Sequence, residues 1–210
     1  MSNVFRYNKK EEERLKSTSE GLYIHQTLIE IDRKSNLPGK AWGDLRLMTY
    51  DTDLEAYKVC QDYMLNVVDN VRAGKGLYIY GPAGNGKTTW GYKIARKYIE
   101  MLAYNKKQPR TAVYFANIPE LMNELKLGFN DPEFQRRLNY SIENADLVIF
   151  DDIGAENSTD WAQEQIYHYI NYRYANGKAT IFTSNIPPNS LEMRVARDLK
   201  SKNKNKLKSS

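Results

Sequence analysis

Leu77-Tyr78-Ile79-Tyr80-Gly81-Pro82-Ala83-Gly84-Asn85-Gly86-Lys87-Thr88 is the stretch whose reading decides the fold. Its opening four residues are aromatic or branched and apolar, and glycine follows them directly, which predicts a short buried strand. From Gly81 onward the residues match the pattern Gly, four residues, Gly-Lys-Thr without a mismatch. Beyond the pattern, Ile94, Ala95, Tyr98, Ile99 and Leu102 fall on one face of a helix that begins near Lys87. Glycine at these turns lets the backbone take left-handed conformations and brings its N–H groups close to an anion at the positive end of the following helix. A glycine-rich turn matching by chance seldom sits between an apolar strand and an amphipathic helix, so the context predicts a phosphate cradle.

That cradle is expected to comprise Gly81, Pro82, Ala83, Gly84, Asn85, Gly86, Lys87, Thr88 and Thr89 and to take ATP or ADP. Lys87 is expected at the β- and γ-phosphates, and the Thr88 hydroxyl supplies an oxygen ligand to Mg²⁺. A cation needs an anionic anchor, and Leu147-Val148-Ile149-Phe150-Asp151-Asp152 provides one as an apolar strand ending in two carboxylates. A strand of a parallel sheet projects its carboxyl end into the crevice where ligands bind. Asp151 is therefore expected to hold the metal, and Asp152 to orient or deprotonate an attacking water. Aspartate reaches less far than glutamate, so hydrolysis at Asp152 is expected to be slow. Asn185, after Phe182-Thr183-Ser184, either meets the γ-phosphate or its water, or simply begins the turn into Ile186-Pro187-Pro188.

Working outward, Ala112-Val113-Tyr114-Phe115 and Ala179-Thr180-Ile181-Phe182-Thr183 read as two more strands. Pro119 opens a helix with Leu121, Met122 and Leu125 on its buried side, and Trp161, Gln165, Ile166, Tyr169, Ile170 and Arg173 mark another, closed by Asn176-Gly177. Before the first strand, Leu54, Tyr57, Cys60, Met64, Val67, Val68 and Val71 predict one continuous helix ended by Ala73-Gly74-Lys75-Gly76. Strands that are continuous apolar runs, alternating with helices, predict a three-layer α/β fold around a parallel sheet. Leu22, Tyr23, His25, Leu28, Ile29 and Ile31 form an amphipathic pattern ended by Asn36-Leu37-Pro38-Gly39. The expected division is an N-terminal helical arm over 1–40 as a partner-docking segment, a nucleotide-binding core over 41–199 and a lysine-rich flexible tail over 200–210.

The chain has 210 residues, enough for one domain of α/β size, and a net charge of +5. One cysteine excludes an internal disulfide framework, and with only two histidines a structural zinc site is not expected. Neither a secretory leader nor an apolar run of membrane-spanning length is present, so a cytoplasmic location is expected. Lys200, Lys202, Lys204, Lys206 and Lys208 form a cationic tail that is either simply solvated or neutralises DNA phosphates. The tyrosines offer stacking surfaces for single-stranded bases, but Tyr78, Tyr80, Tyr98 and Tyr169 lie on expected buried faces.

Taken together, the phosphate loop, Ile149-Phe150-Asp151-Asp152-Ile153-Gly154-Ala155-Glu156 and Thr183-Ser184-Asn185 resemble the AAA+ domain of DnaC/DnaI-type helicase loaders over roughly residues 42–199. The resemblance implies a P-loop ATPase core that helps place a hexameric DnaB-type replicative helicase on single-stranded DNA, with ATP as a switch and ATP-bound copies associating. It makes Asp151 the Walker B metal anchor, Asp152 the catalytic position and Asn185 the sensor. Arg197, then Arg194, resembles the arginine finger offered to a neighbour's ATP, although an exposed helix arginine is an equal reading. The family pattern also includes a fifth strand flanking the first and a small lid, and neither is legible here. Either the N-terminal arm or another subunit covers the edge this leaves, or the chain is shortened from a longer parent; the N-terminal segment, short for the family, suggests a compact phage- or plasmid-borne version. A transposition helper resembling IstB and a non-hydrolysing adaptor or inhibitor of a helicase or loader are the alternatives.

Overall fold

The computed structural model describes residue 13 and residues 16–37, 54–105, 111–154 and 160–189. Helix α1 is Ser19–Lys34, α2 is Glu55–Leu65 and α3 is Val67–Arg72. Strand β1 (Leu77–Tyr80) leads into α4 (Lys87–Tyr104), and β2 (Val113–Asn117) into α5 (Ile118–Leu127) and α6 (Pro132–Asn144). Strand β3 (Leu147–Asp151), α7 (Asp160–Ala175) and β4 (Ala179–Ser184) complete the described elements. The sheet is parallel with the order β1-β4-β3-β2.

Every residue of β3 is buried, which is why it reads as an unbroken apolar run and not as an alternating one. Alternate side chains feed two separate cores. Leu147, Ile149, Val113, Phe115 and Ile181 pack with Ile94, Tyr98 and Ile99 of α4 and with Leu28 and Ile31 of α1. On the opposite face Val148, Phe150, Tyr114 and Ala116 pack with Leu121, Leu125, Leu138, Ile142 and Tyr169 of α5, α6 and α7. The result is the three-layer P-loop NTPase architecture expected from the order of elements.

Local chemistry sets the element ends. Asn117 caps α5 by accepting from the Glu120 N–H, and Asp131 caps α6 by accepting from Glu133 and Phe134, each before a proline in the first helical turn. Helix α6 was not anticipated from the apolar spacing. The single helix expected from residue 53 to 71 is broken at Asn66, whose side-chain amide donates to the Asp62 carbonyl and competes with the helical ladder. Helix α1 buries Ile24, His25, Thr27, Leu28 and Ile31, whereas Leu22 and Tyr23 of the expected apolar face are exposed.

The end of α1 lies against the sheet edge formed by β2. Ser35 O accepts from Phe115 N at 3.0 Å and Asn36 Nδ2 donates to Phe115 O at 3.1 Å, so this segment caps the β2 edge, opposite to β1. Strand β1 is the other edge of the sheet among the described residues. Its position explains why Tyr80 is exposed and Tyr78 half-buried, contrary to the buried faces expected for them, while Tyr98 and Tyr169 are buried as expected. Arg194, Arg197, the family's lid and fifth-strand region and the lysine tail lie outside the described residues.

Strand β1 meets β4 so closely that its approach requires glycine. A Cβ on Gly76 would lie 2.2 Å from Thr180 O. Gly76→Ala is expected to push β1 off β4 and destabilise the protein by about 1–3 kcal/mol, the usual range for overpacking, as read from urea unfolding.

Candidate nucleotide site

The crevice forms where the carboxyl ends of β1, β3 and β4 meet the amino end of α4. Gly84 and Gly86 take φ values of 83° and 74°, left-handed backbone that a side chain disfavours. A Cβ at Gly84 would meet nothing within 4 Å, so conformation and not crowding by the protein demands glycine there. Pro82, Ala83, Gly84 and Asn85 are exposed over this open space, while Gly81, Gly86, Lys87, Thr88 and Thr89 are half-buried beneath it. Deeper in, Gly91 allows α4 to lie against β3, since a Cβ there would stand 3.2 Å from Ile149 Cγ2.

Hydrogen bonds join the sequence-predicted residues into two connected sets. Lys87 Nζ donates to Pro82 O at 2.8 Å and to Asn185 Oδ1 at 2.9 Å, and Asn185 Nδ2 donates to Asp152 Oδ1 at 3.0 Å. One amide side chain thus bridges the loop lysine and the second carboxylate. In the other set, Thr88 Oγ1 donates to Asp151 Oδ1 at 2.8 Å, and Asp151 is buried. Asp152 adopts a φ of 62°, the left-handed turn that swings its carboxylate off the strand axis toward Asn185.

Two residues not foreseen as functional complete the second set. Thr183 Oγ1 donates to Asp151 Oδ1 at 2.6 Å, and Asn117 Nδ2 donates to Asp151 Oδ2 at 3.3 Å. Both sit at the carboxyl ends of strands flanking β3, where the register pairs Asn117 with Asp151 and Phe150 with Phe182. The signal lay in polar residues closing apolar strands, but reading it requires the strand order.

The donor set fits a nucleotide and its metal. Main-chain amides at a helix start and a lysine ammonium held over them suit a polyphosphate. A threonine hydroxyl beside a buried carboxylate offers hard oxygen ligands, and Mg²⁺ is ordinarily held by one or two carboxylates plus substrate phosphates and water. Among the described residues there is no group of three His, Cys, Asp or Glu side chains placed to hold a metal ion.

Fold and crevice together define a P-loop NTPase of the AAA+ class. Over residues 31–198 the sequence matches the family of IstB-like ATP binding proteins, and the chain belongs to that family. Among curated relatives, the replicative helicase loader DnaI of Bacillus subtilis is 33% identical over 120 residues, 57% of this chain and 36% of that protein. The chain therefore spans about a third of the length of that relative. The crystal structure of the DnaC helicase loader superposes with a TM-score of 0.56 and 28% identity, covering 77% of this chain and 88% of that one. For the crystal structure of DnaI the values are 0.56 and 27%, covering 73% and 78%. Among the described residues no helix is long and apolar enough to cross a membrane.

Proposed function

We propose that the chain is a nucleotide-switched ATPase of replication initiation, which engages a hexameric replicative helicase and assists its loading onto single-stranded DNA. The observation that carries the ATPase reading is the Lys87–Asn185–Asp152 bridge beside the Thr88–Asp151 pair, because it converges a phosphate binder, a metal anchor and a base on one crevice. The similarity to DnaI and DnaC supports the helicase as partner.

In this reading the amides of Gly84 to Thr88 and the Lys87 ammonium bind the phosphates and fix their orientation. Mg²⁺, when bound at Thr88 and Asp151, neutralises phosphate charge. Asp152 accepts the proton of the attacking water, and Asn185 Nδ2 holds its carboxylate in place for that task. Arg197, with Arg194 as second choice, supplies the finger to a neighbouring copy, so turnover depends on association. Asp152→Asn is expected to lower the ATPase rate by roughly 100-fold or more, the scale of a lost general base, while ATP affinity stays within about twofold. Steady-state phosphate release beside equilibrium binding checks both; turnover unchanged in the variant would remove Asp152 from the reaction.

The partner is tested by capture with purified hexameric helicase and with transposase, each with ATP and with ADP. Nucleotide-dependent recovery of helicase supports the loader. The IstB-like family membership favours a second reading, a transposition helper, and recovery of transposase alone would establish that one. Deleting residues 1–40 is a poor test of docking through the arm, since it would strip Ile24, Leu28 and Ile31 from the core. Substituting exposed Leu22 leaves the core intact and serves better.

A further inference from the structure

Thr183 has no part in the proposed reaction, yet its hydroxyl bonds to both residues that carry the carboxylates of the crevice. It is almost wholly buried, at 1% exposure. It donates to Asp151 Oδ1 at 2.6 Å and accepts from the Asp152 N–H at 2.9 Å, while Thr183 O accepts from Ile153 N at 2.9 Å. One residue on β4 therefore holds the turn that carries the two carboxylates, its side chain at Asp151 and Asp152 and its main chain at Ile153. A hydroxyl donates once and can accept as well, so its proton goes to the carboxylate oxygen while its lone pair receives the Asp152 N–H.

Geometry gives the grip a purpose. Asp152 stands in left-handed backbone at φ 62°, a conformation uncommon outside glycine that aspartate takes more readily than most residues and that a local bond helps to hold. The bond from its N–H to Thr183 contributes to that hold, beside those from Asn185 to its carboxylate and from Ile153 N to Thr183 O. The same hydroxyl fixes Asp151 Oδ1, the oxygen that also receives the Thr88 hydroxyl. Ser184 extends the clamp by donating to Ile153 O at 2.7 Å, so that β4 binds the turn at successive residues.

We infer that Thr183 is a positioning residue that presets the metal-binding carboxylate Asp151 and the turn of Asp152, and so sets how strongly magnesium contributes to nucleotide binding. This rests on the proposed nucleotide site. It concerns a residue whose hydroxyl is engaged with Asp151 and Asp152, so its effect passes through the two aspartates.

The test is ATP affinity of the full chain, measured with Mg²⁺ and again in EDTA, for wild type, Thr183→Val and Thr183→Ser. Valine keeps the shape and removes the hydroxyl. Its affinity with Mg²⁺ is expected to fall roughly 10- to 100-fold, the loss when a hydrogen bond to a charged group is removed, with little change in EDTA. Serine restores the hydroxyl and is expected to recover most of the magnesium response. If valine fails to fold, Thr183→Ala carries the same comparison. Equal weakening with and without metal, or no weakening, overturns the inference. A wild type that binds no nucleotide at all would instead strike the site itself, so the two failures are distinguishable.

Discussion

Lys87→Ala is expected to weaken ATP binding by about 100-fold or more, since hydrogen bonds to charged groups contribute roughly 1.5–3 kcal/mol each and an ammonium makes several to a polyphosphate. The loss has two parts. The phosphates lose their main side-chain cation, and Asn185 Oδ1 loses the donor that fixes it at 2.9 Å. Asn185 then holds Asp152 less firmly, so turnover at saturating ATP should fall as well. Lys87→Arg tests whether charge alone suffices; the planar guanidinium is bulkier and is not expected to restore the contact to Pro82 O. Circular dichroism should show an unchanged fold, because Lys87 belongs to neither apolar core.

The largest expected effect on stability lies at the far end of the sheet, at Arg173. Its guanidinium is fully buried and places all five donors. Nε donates to Thr180 Oγ1, Nη1 to Ile142 O and Ala145 O, and Nη2 to Asp146 O and Ala179 O. These acceptors include the Ile142 carbonyl in the last turn of α6 and that of Ala145, the residue that caps it, groups for which the helix supplies no donor. Burial lowers the Arg173 pKa to about 10, with Asp146 opposing the shift, so the group is still cationic near neutral pH. Arg173→Met fills much of the volume but leaves those carbonyls without donors. A loss of about 3–5 kcal/mol is expected, since each buried carbonyl left without a donor costs roughly 1–3 kcal/mol and several are affected together. For a chain of this size that corresponds to a fall of roughly 6–20 °C in the melting midpoint. A change under ~1 kcal/mol in denaturant unfolding would show that water or relaxation replaces the guanidinium.

The central strand was legible because burial on both faces turns Leu147 to Phe150 into an unbroken apolar run. The loop from Gly81 to Thr88 was legible because phosphate chemistry leaves few choices of residue at each position. Helix α6 escaped notice since Phe134, Leu138 and Ile142 are its sparse apolar marks among charged neighbours, although Asp131-Pro132 is an ordinary helix start. Tyr80 was misplaced because its exposure follows from the place of β1 at the sheet edge, and strand order is a tertiary fact. Thr183 and Asn117 were missed for the same reason. Each becomes a neighbour of Asp151 only once β2, β3 and β4 are aligned, and nothing local to either residue encodes that alignment. Arg173 was taken as a helix marker, and its burial under α6 depends on a helix that had not been foreseen.

Isothermal titration of the folded chain with ATP, in the presence of Mg²⁺, tests the central claim most directly, with Lys87→Ala titrated alongside. Saturable binding near one nucleotide per chain, largely abolished in the variant, is the predicted result. Absence of heat from both ATP and ADP with intact wild-type protein, or equal binding by the variant, would contradict the account.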